Sequence, residues 1–230
     1  MRDWIEFYDS PHSIYVNARH KDVHYRDIGE QIAAFVPGPQ ARVLDYGCGE
    51  ATHADLVARV AAQVFLCDAA PSVRALLSAR FGATANVRIV APDDVERMED
   101  RSLDLIVANS VVQYLSRDTL TALLSLWRRL LAPDGVLIVA DVIPPDVGVV
   151  SDAVALLRYA TAHGFLLAAL AGLTRTALSS YRQLSATLAK AHYGESEFLG
   201  ILKAAGFTAE RLARNMEHNP ARMTFRARLA

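Results

Sequence analysis

Only two cysteines, Cys48 and Cys67, occur in 230 residues. That is too few for a disulfide scaffold or a cysteine-rich zinc site, so ordinary reduced thiols are expected. Long apolar runs are missing as well. The nearest, "GFLLAALAGL" from Gly164 to Leu173, is preceded by Arg158 and His163 and falls short of the ~20 residues a membrane span needs. Charge of one sign is also lacking: 24 Lys and Arg face 25 Asp and Glu, a net charge of -1. No overall attraction to nucleic acid follows, and polynucleotide substrates are disfavoured. The opening "MRDWIEFYDS" lacks the apolar core and small-residue cleavage site of a secretory signal, so a cytoplasmic location is expected. What remains is a chain that is 52% hydrophobic and 21% charged, enough to bury one sizeable core in a single domain with an elaboration.

Two periodicities alternate along that chain. Residues Asp22 to Val36 carry Val23, Ile28, Ile32 and Phe35 at helical spacing, stopping at "PGPQ". Short apolar runs bounded by turn residues follow: "RVLDY", "QVFLCD", "VRIVA", "LDLIVANS" and "GVLIVAD". Between them, Ala51 to Ala61, Pro71 to Phe81 and Asp118 to Leu131 have helical spacing, with Pro71 and Ser116 placed to start helices. Strands alternating with helices imply an α/β fold with a parallel sheet covered on both faces. The end of the chain, "GFTAERLARNMEHNPARMTFRARLA", reads as two extended segments joined by a turn around Asn219-Pro220. An antiparallel hairpin at the sheet edge would suit it.

In such a sheet the turn after the first strand is the prime ligand site. Here it is "VLDYGCGEATH", Val43 to His53. Gly47 and Gly49 permit a tight turn and close backbone approach. A dinucleotide fingerprint would need Gly or Ala at position 52, where this chain has Thr52. Asp45 would moreover lie beside an anionic pyrophosphate and repel it. No Gly-Lys-Ser/Thr follows, so the P-loop pattern fails too. The next strand ends at Asp68, roughly 20 residues beyond the glycines, where an acid reaches the hydroxyls of an adenosine ribose. A ribose signal without a pyrophosphate signal points to a nucleoside bearing a positive charge.

These residues resemble the class I S-adenosylmethionine-dependent methyltransferases of the small-molecule type, over roughly Ala41 to Asp141 plus the terminal hairpin. Their first motif, acid-x-Gly-x-Gly-x-Gly, is matched by Asp45, Gly47 and Gly49, with Ala51 at the third glycine. The resemblance implies a Rossmann-like, mostly parallel seven-stranded sheet and S-adenosyl-L-methionine as cofactor. Asp45 and the glycine backbone would hold the methionine moiety, and Asp68, beside Ala69 in "LCDAAPSVR", the ribose. "VAPDDVERM" looks like the adenine-binding segment, with Asp94 or Asp93 accepting the exocyclic amine, although an ungapped alignment puts Pro92 at the usual acid. Asn109, ending "LDLIVAN", would flank the sulfonium, and Pro133-Asp134-Gly135 would make the turn that starts the fifth strand. A structural reading of Asn109 as a turn residue stays open.

Methyl transfer from a sulfonium needs alignment and exclusion of water more than a dedicated base. Side chains that could assist cluster in "SPHSIYVNARHKDVHY", which holds His12, Tyr15, Arg19, His20, His24 and Tyr25. By resemblance, Tyr15 or Arg19 could bind the cofactor carboxylate and His20 could face the substrate. Surface or capping roles are the alternative for each histidine. Tyr114 is the other catalytic candidate, with core packing as its alternative. No metal site is expected: His20 and His24 have the spacing of paired ligands, but no acid of a known zinc motif stands between or beyond them.

The chain thus divides into an N-terminal helical cap (1–40), a cofactor-binding core (41–146), a helical insertion (147–192) and a terminal helix with the hairpin (193–230). The insertion has Leu178, Tyr181, Leu184 and Leu188 at helical spacing opposite Arg175, Arg182 and Lys190. Arg158, Arg175, Arg182 and Lys190 outnumber Asp152 in it. Apolar plus basic suits weak membrane-surface contact; a lid over the pocket, or an interface in a homodimer, is the favoured alternative. The expectation is a methyltransferase acting on a small, apolar acceptor. An NAD-dependent oxidoreductase, opposed by Thr52 and Asp45, and a noncatalytic cofactor-binding protein are the other readings.

Overall fold

Val43 and Leu44, neighbours on the first strand, belong to opposite cores of the molecule, and this period of two organises the whole sheet. The computed structural model describes residues 15–178 and 191–230. Its strands are β1 (Arg42–Tyr46), β2 (Gln63–Cys67), β3 (Val87–Val90), β4 (Leu103–Asn109), β5 (Leu131–Val142), β6 (Phe207–Arg211) and β7 (Met223–Leu229). They form one sheet in the order β3-β2-β1-β4-β5-β7-β6. The core pairs are parallel, and β7 runs antiparallel to both of its neighbours. Strand order reverses between β1 and β4, which opens a crevice beyond their carboxyl ends.

Helices cover both faces. On one lie α1 (Ala18–Phe35), α2 (Ala54–Ala58) and α3 (Pro71–Phe81), which press Ile28, Ile32, Val57, Leu77 and Phe81 onto Val43, Leu105 and Ile138. On the other, α4 (Pro92–Glu96), α5 (Arg117–Leu130) and α8 (Glu195–Ala204) bring Val95, Leu124, Trp127 and Phe198 against Leu44, Ile106 and Leu137. Local chemistry sets the boundaries. Asn17 caps α1 by accepting the His20 N–H at 2.8 Å, so that helix begins four residues before its apolar spacing does. Ser116 caps α5, and Pro71 opens α3, where its missing N–H costs nothing.

Three elements differ from the sequence pattern. The helix expected over 51–61 shrinks to α2, because left-handed backbone at Gly47, Gly49 and Ala51 carries the loop further. Strand β5 starts at Leu131, not after Gly135; Pro133-Asp134-Gly135 lies in an irregular stretch where the register with β4 shifts. The β6–β7 connection contains the expected turn, with the Asn219 carbonyl accepting the Arg222 N–H at 3.2 Å, but sets it within a wide loop. Its Met216 carbonyl accepts the Gln31 side chain of α1 at 2.7 Å, which lays the loop across the carboxyl edge of the sheet.

The insertion after β5 contains α6 (Val149–His163) and α7 (Leu166–Leu178). These helices seat Ala160, Phe165 and Ala169 on Val23 of α1. No helix among the described residues is long and apolar enough to cross a membrane. His12 and the expected Tyr181–Leu188 part of the amphipathic stripe, with Arg182 and Lys190, lie outside the described residues.

Candidate active site

A cavity of about 780 Å³ occupies the crevice between β1 and β4. Its floor is the β1 loop. Gly47 and Gly49 have φ of +74° and +57°, a conformation that disfavours a side chain. Space forbids one as well: a Cβ on Gly47 would stand 2.5 Å from Val111 Cγ2, and one on Gly49 2.8 Å from the Tyr25 hydroxyl. That hydroxyl accepts the Glu50 N–H at 3.0 Å, so α1 locks the loop from above.

Two acids bear on this floor. Asp45 is buried, and burial together with the nearby Asp68 pushes its carboxyl up to about 7. Asp68 accepts the Gly49 N–H at 3.1 Å through one oxygen and the Ala70 N–H at 2.8 Å through the other. Burial raises it too, outweighing those bonds and Arg74. Each Asp68 oxygen keeps a lone pair for a hydroxyl donor. The arrangement suits a ligand that brings positive charge to Asp45 and a diol to Asp68, and glycine keeps the space for it clear. The residues present therefore fit S-adenosyl-L-methionine.

Of the residues singled out by sequence, Tyr15, Asp45, Gly47, Gly49, Asp68, Ala69, Asn109 and Tyr114 line the cavity. Four do not. Arg19 points away: its guanidinium donates to the His163 carbonyl at 3.3 Å and pairs with Asp22. His20 is buried, its Nδ1 accepting the Val16 N–H and its ring stacked 4.9 Å from Phe165. Burial, with His24 and His218 nearby, lowers its pKa to about 4, so it stays neutral. Both residues tie α1 to the insertion. Asp94 turns back to accept the Ala91 N–H at 2.8 Å and pairs with Arg97, serving the start of α4. Asp93 beside it is exposed. In that segment Pro92 and Glu96 face the cavity instead. The long wall is apolar, with Val111, Leu115, Leu123 and Leu126.

Sequence reasoning missed the opposite, polar corner. Asn109 Nδ2 donates to Glu217 Oε1 at 2.9 Å. Glu217 Oε2 lies 3.3 Å from His24 Nδ1 and 3.7 Å from His218 Nδ1. Burial alone would lower the His24 pKa, but Glu217, Asp141 and Asp27 outweigh it and raise it. Burial works against the Glu217 carboxylate, and His24, His218 and Asn109 more than compensate, so it stays ionised. Behind this corner, Ser110 donates to the buried Asp141 at 2.8 Å, and Arg222 joins Asp141 to Asp152 of α6. Ser110 and Asp141 both have positive φ, 56° and 63°. Such strain at two strand ends marks a site whose surroundings over-determine it.

The insertion reaches this corner through Tyr159, whose ring stacks 5.2 Å from His218 and whose hydroxyl donates to Asp27 at 2.6 Å. Among the described residues none of the insertion lines the main cavity. The signal that could have found the corner was "MEHN", a polar run between two apolar strands.

Residues 43–135 match the family described as "Methyltransferase domain". No curated protein matches the chain by sequence. Similar solved structures include DhpI in complex with SAH, 16% identical with a TM-score of 0.64 over 100% of this chain and 96% of that one. Magnesium protoporphyrin IX methyltransferase of Synechocystis PCC 6803 with bound SAH is 15% identical, with a TM-score of 0.61 over 99% and 93%. The pyocyanin biosynthetic protein PhzM is 14% identical, with a TM-score of 0.60 over 92% of this chain and 56% of its own. At these identities the likeness is one of fold.

Proposed function

We propose that the protein, whose residues 43–135 match a methyltransferase domain, transfers the methyl group of S-adenosyl-L-methionine to a small, largely apolar acceptor. The observation that carries this is the pair of acids, buried Asp45 and half-buried Asp68, on a glycine floor that no side chain could share. The cofactor supplies a methyl group on an already activated sulfonium leaving group. Asp45 balances its positive charge, the Gly47–Gly49 backbone admits the methionine portion, and Asp68 with Ala69 holds the ribose. Tyr15 stands at the carboxylate end. Pro92 and Glu96, in place of Asp93 and Asp94, border the adenine.

The acceptor enters between the apolar wall of Val111, Leu115 and Leu123 and the polar corner of Asn109 and Glu217. Tyr114, on the wall, orients it. In-line displacement then requires alignment and exclusion of water, which a deep cavity with one polar corner provides. Calorimetry with S-adenosyl-L-methionine and S-adenosylhomocysteine tests the reading. Micromolar binding that Asp45→Asn and Asp68→Ala each weaken at least tenfold is expected. No binding, or a larger thermal shift with NAD, would overturn it.

A peripheral membrane role for the insertion has one supporting observation. Val149 and Leu167 are 84% and 83% exposed, on helices that also carry Arg158 and Arg175. Weak sedimentation with anionic liposomes at low salt is expected, lost in Leu167→Ser. Sedimentation equal to that with neutral liposomes would remove this role.

A further inference from the structure

The polar corner carries more than a methyl acceptor requires. His24, Glu217 and His218 come from α1 and from the β6–β7 loop, far apart in sequence. Each offers one donor atom, and the three atoms lie within 4.8 Å of one another. In a tetrahedral site with metal–ligand bonds of 2.0–2.1 Å, ligand atoms stand about 3.3 Å apart. Glu217 Oε2 is 3.3 Å from His24 Nδ1 and 3.7 Å from His218 Nδ1. Two edges of such a polyhedron are therefore already near their required length.

The supports are of the kind metal ligands need. Asn109 occupies the other oxygen of Glu217 and so fixes which one faces the histidines. Tyr159 stacks on the His218 ring and is itself held by Asp27. Tyr15 and Tyr25 pack against the His24 ring at 5.2 and 5.0 Å. His218 Nδ1 is buried and has no hydrogen-bond partner. Glu217 Oε2, 3.7 Å away, is too far for a good hydrogen bond, and a cation shared by the two would satisfy both.

We propose that His24, Glu217 and His218 form a binding site for a divalent transition-metal ion at the edge of the cofactor cavity. Two imidazoles and one carboxylate suit zinc, cobalt, nickel or iron(II) better than magnesium or calcium, which prefer all-oxygen sets. Three protein ligands leave positions open, as in catalytic sites. His24 and Glu217 line the main cavity, and Glu217 and His218 a second one, so an ion held there would border the space proposed for the acceptor. An acceptor hydroxyl bound there would release its proton more readily; this consequence, unlike ion binding itself, rests on the methyl-transfer reading.

The test is calorimetric titration of chelator-treated full-length protein with Zn²⁺ and, separately, Co²⁺, whose visible absorption reports imidazole and carboxylate ligation. One ion per chain is expected. Glu217→Gln and His218→Ala should each weaken binding 100-fold or more, and Asn109→Ala, which removes only a support, roughly 10–100-fold. Each variant is also titrated with S-adenosylhomocysteine and checked by circular dichroism. Retained cofactor binding with lost ion binding places the effect at this corner. Absence of saturable Zn²⁺ and Co²⁺ binding by wild-type protein that still binds S-adenosylhomocysteine overturns the proposal. So do Co²⁺ spectra unchanged in folded Glu217→Gln and His218→Ala. Loss of S-adenosylhomocysteine binding by the wild type would instead strike the methyl-transfer reading alone.

Discussion

Asn109, the last residue of β4, donates its side-chain N–H to the carboxylate of Glu217 at 2.9 Å, joining the sheet to the loop before β7. The oxygen of the same amide, Oδ1, is buried without a hydrogen-bond partner. The residue is thus held on one side and unpaired on the other, next to the place where methyl transfer is proposed. A bond to a charged group contributes about 1.5–3 kcal/mol. Asn109→Ala is therefore expected to destabilise the fold by that amount, measured by urea denaturation with unchanged m-value. It should also slow methyl transfer by more than it weakens cofactor binding, since the cofactor's other partners remain. An unchanged urea midpoint would show that the Glu217 contact is idle.

Asp45 gives the cofactor reaction a pH dependence whose sign is fixed. Its free carboxyl titrates at about 7 because it is buried beside Asp68. A cationic ligand prefers the ionised form, so affinity for S-adenosyl-L-methionine should rise with pH and level off above 7. For one proton the expected difference between pH 6 and pH 8 is about tenfold. Stability runs the other way. A carboxyl with a raised folded pKa contributes stability present below its unfolded value, lost as pH climbs from about 4 to 7. Ligand-free Asp45→Asn should therefore be more stable than wild type at pH 8, by on the order of 4 kcal/mol, and bind cofactor weakly with a flat profile. Calorimetry and thermal melts at pH 5, 6, 7 and 8 decide both points; a flat wild-type binding curve would contradict the assignment.

Those two residues also mark what could be read from sequence. Asp45 was legible because the strand, the turn and the acid are contiguous and their spacing alone fixes the geometry. The same holds for Gly47, Gly49 and Asp68, and for the helices opened by Pro71 and Ser116, where local chemistry sets the boundary. Glu217 was not legible. It reaches Asn109 only because β7 runs antiparallel beside β5 and its loop folds back over α1, a relation with no trace in local pattern. His20 and His24 illustrate the difference within one helix. Their spacing is visible, but only packing shows that the first stacks on Phe165 while the second meets an acid from the far end of the chain.

Gly47 permits a test of how tightly the floor is built. Its φ of +74° costs an L-residue about 1–2 kcal/mol, and a Cβ would meet Val111 Cγ2 at 2.5 Å. Gly47→Ala should lose both stability and cofactor binding. Val111→Ala removes the clash but not the backbone strain, so the double variant should recover part of the lost stability and remain below Val111→Ala alone. Strictly additive effects in thermal melts would mean the two side chains never compete for that space.

Arg222 links three parts of the molecule in one buried contact. Its guanidinium pairs with Asp141 at the end of β5 at 2.6 Å and with both oxygens of Asp152 on α6 at 2.9 Å. Asp141 is 2% exposed, so removal of its partner leaves a charge with nowhere to go. Breaking a buried pair from one side costs roughly 3–5 kcal/mol, whereas removing both charges costs far less. Arg222→Met is accordingly expected to be strongly destabilising, and Arg222→Met with Asp141→Asn to regain at least half of the loss, because the amide can still accept from Ser110. Since Asp152 belongs to the insertion, the single variant should also increase hydrogen exchange across 149–163 before the sheet itself opens. If the double variant is no more stable than the single one, the cost lies in packing of the Arg222 stem rather than in the uncompensated carboxylate.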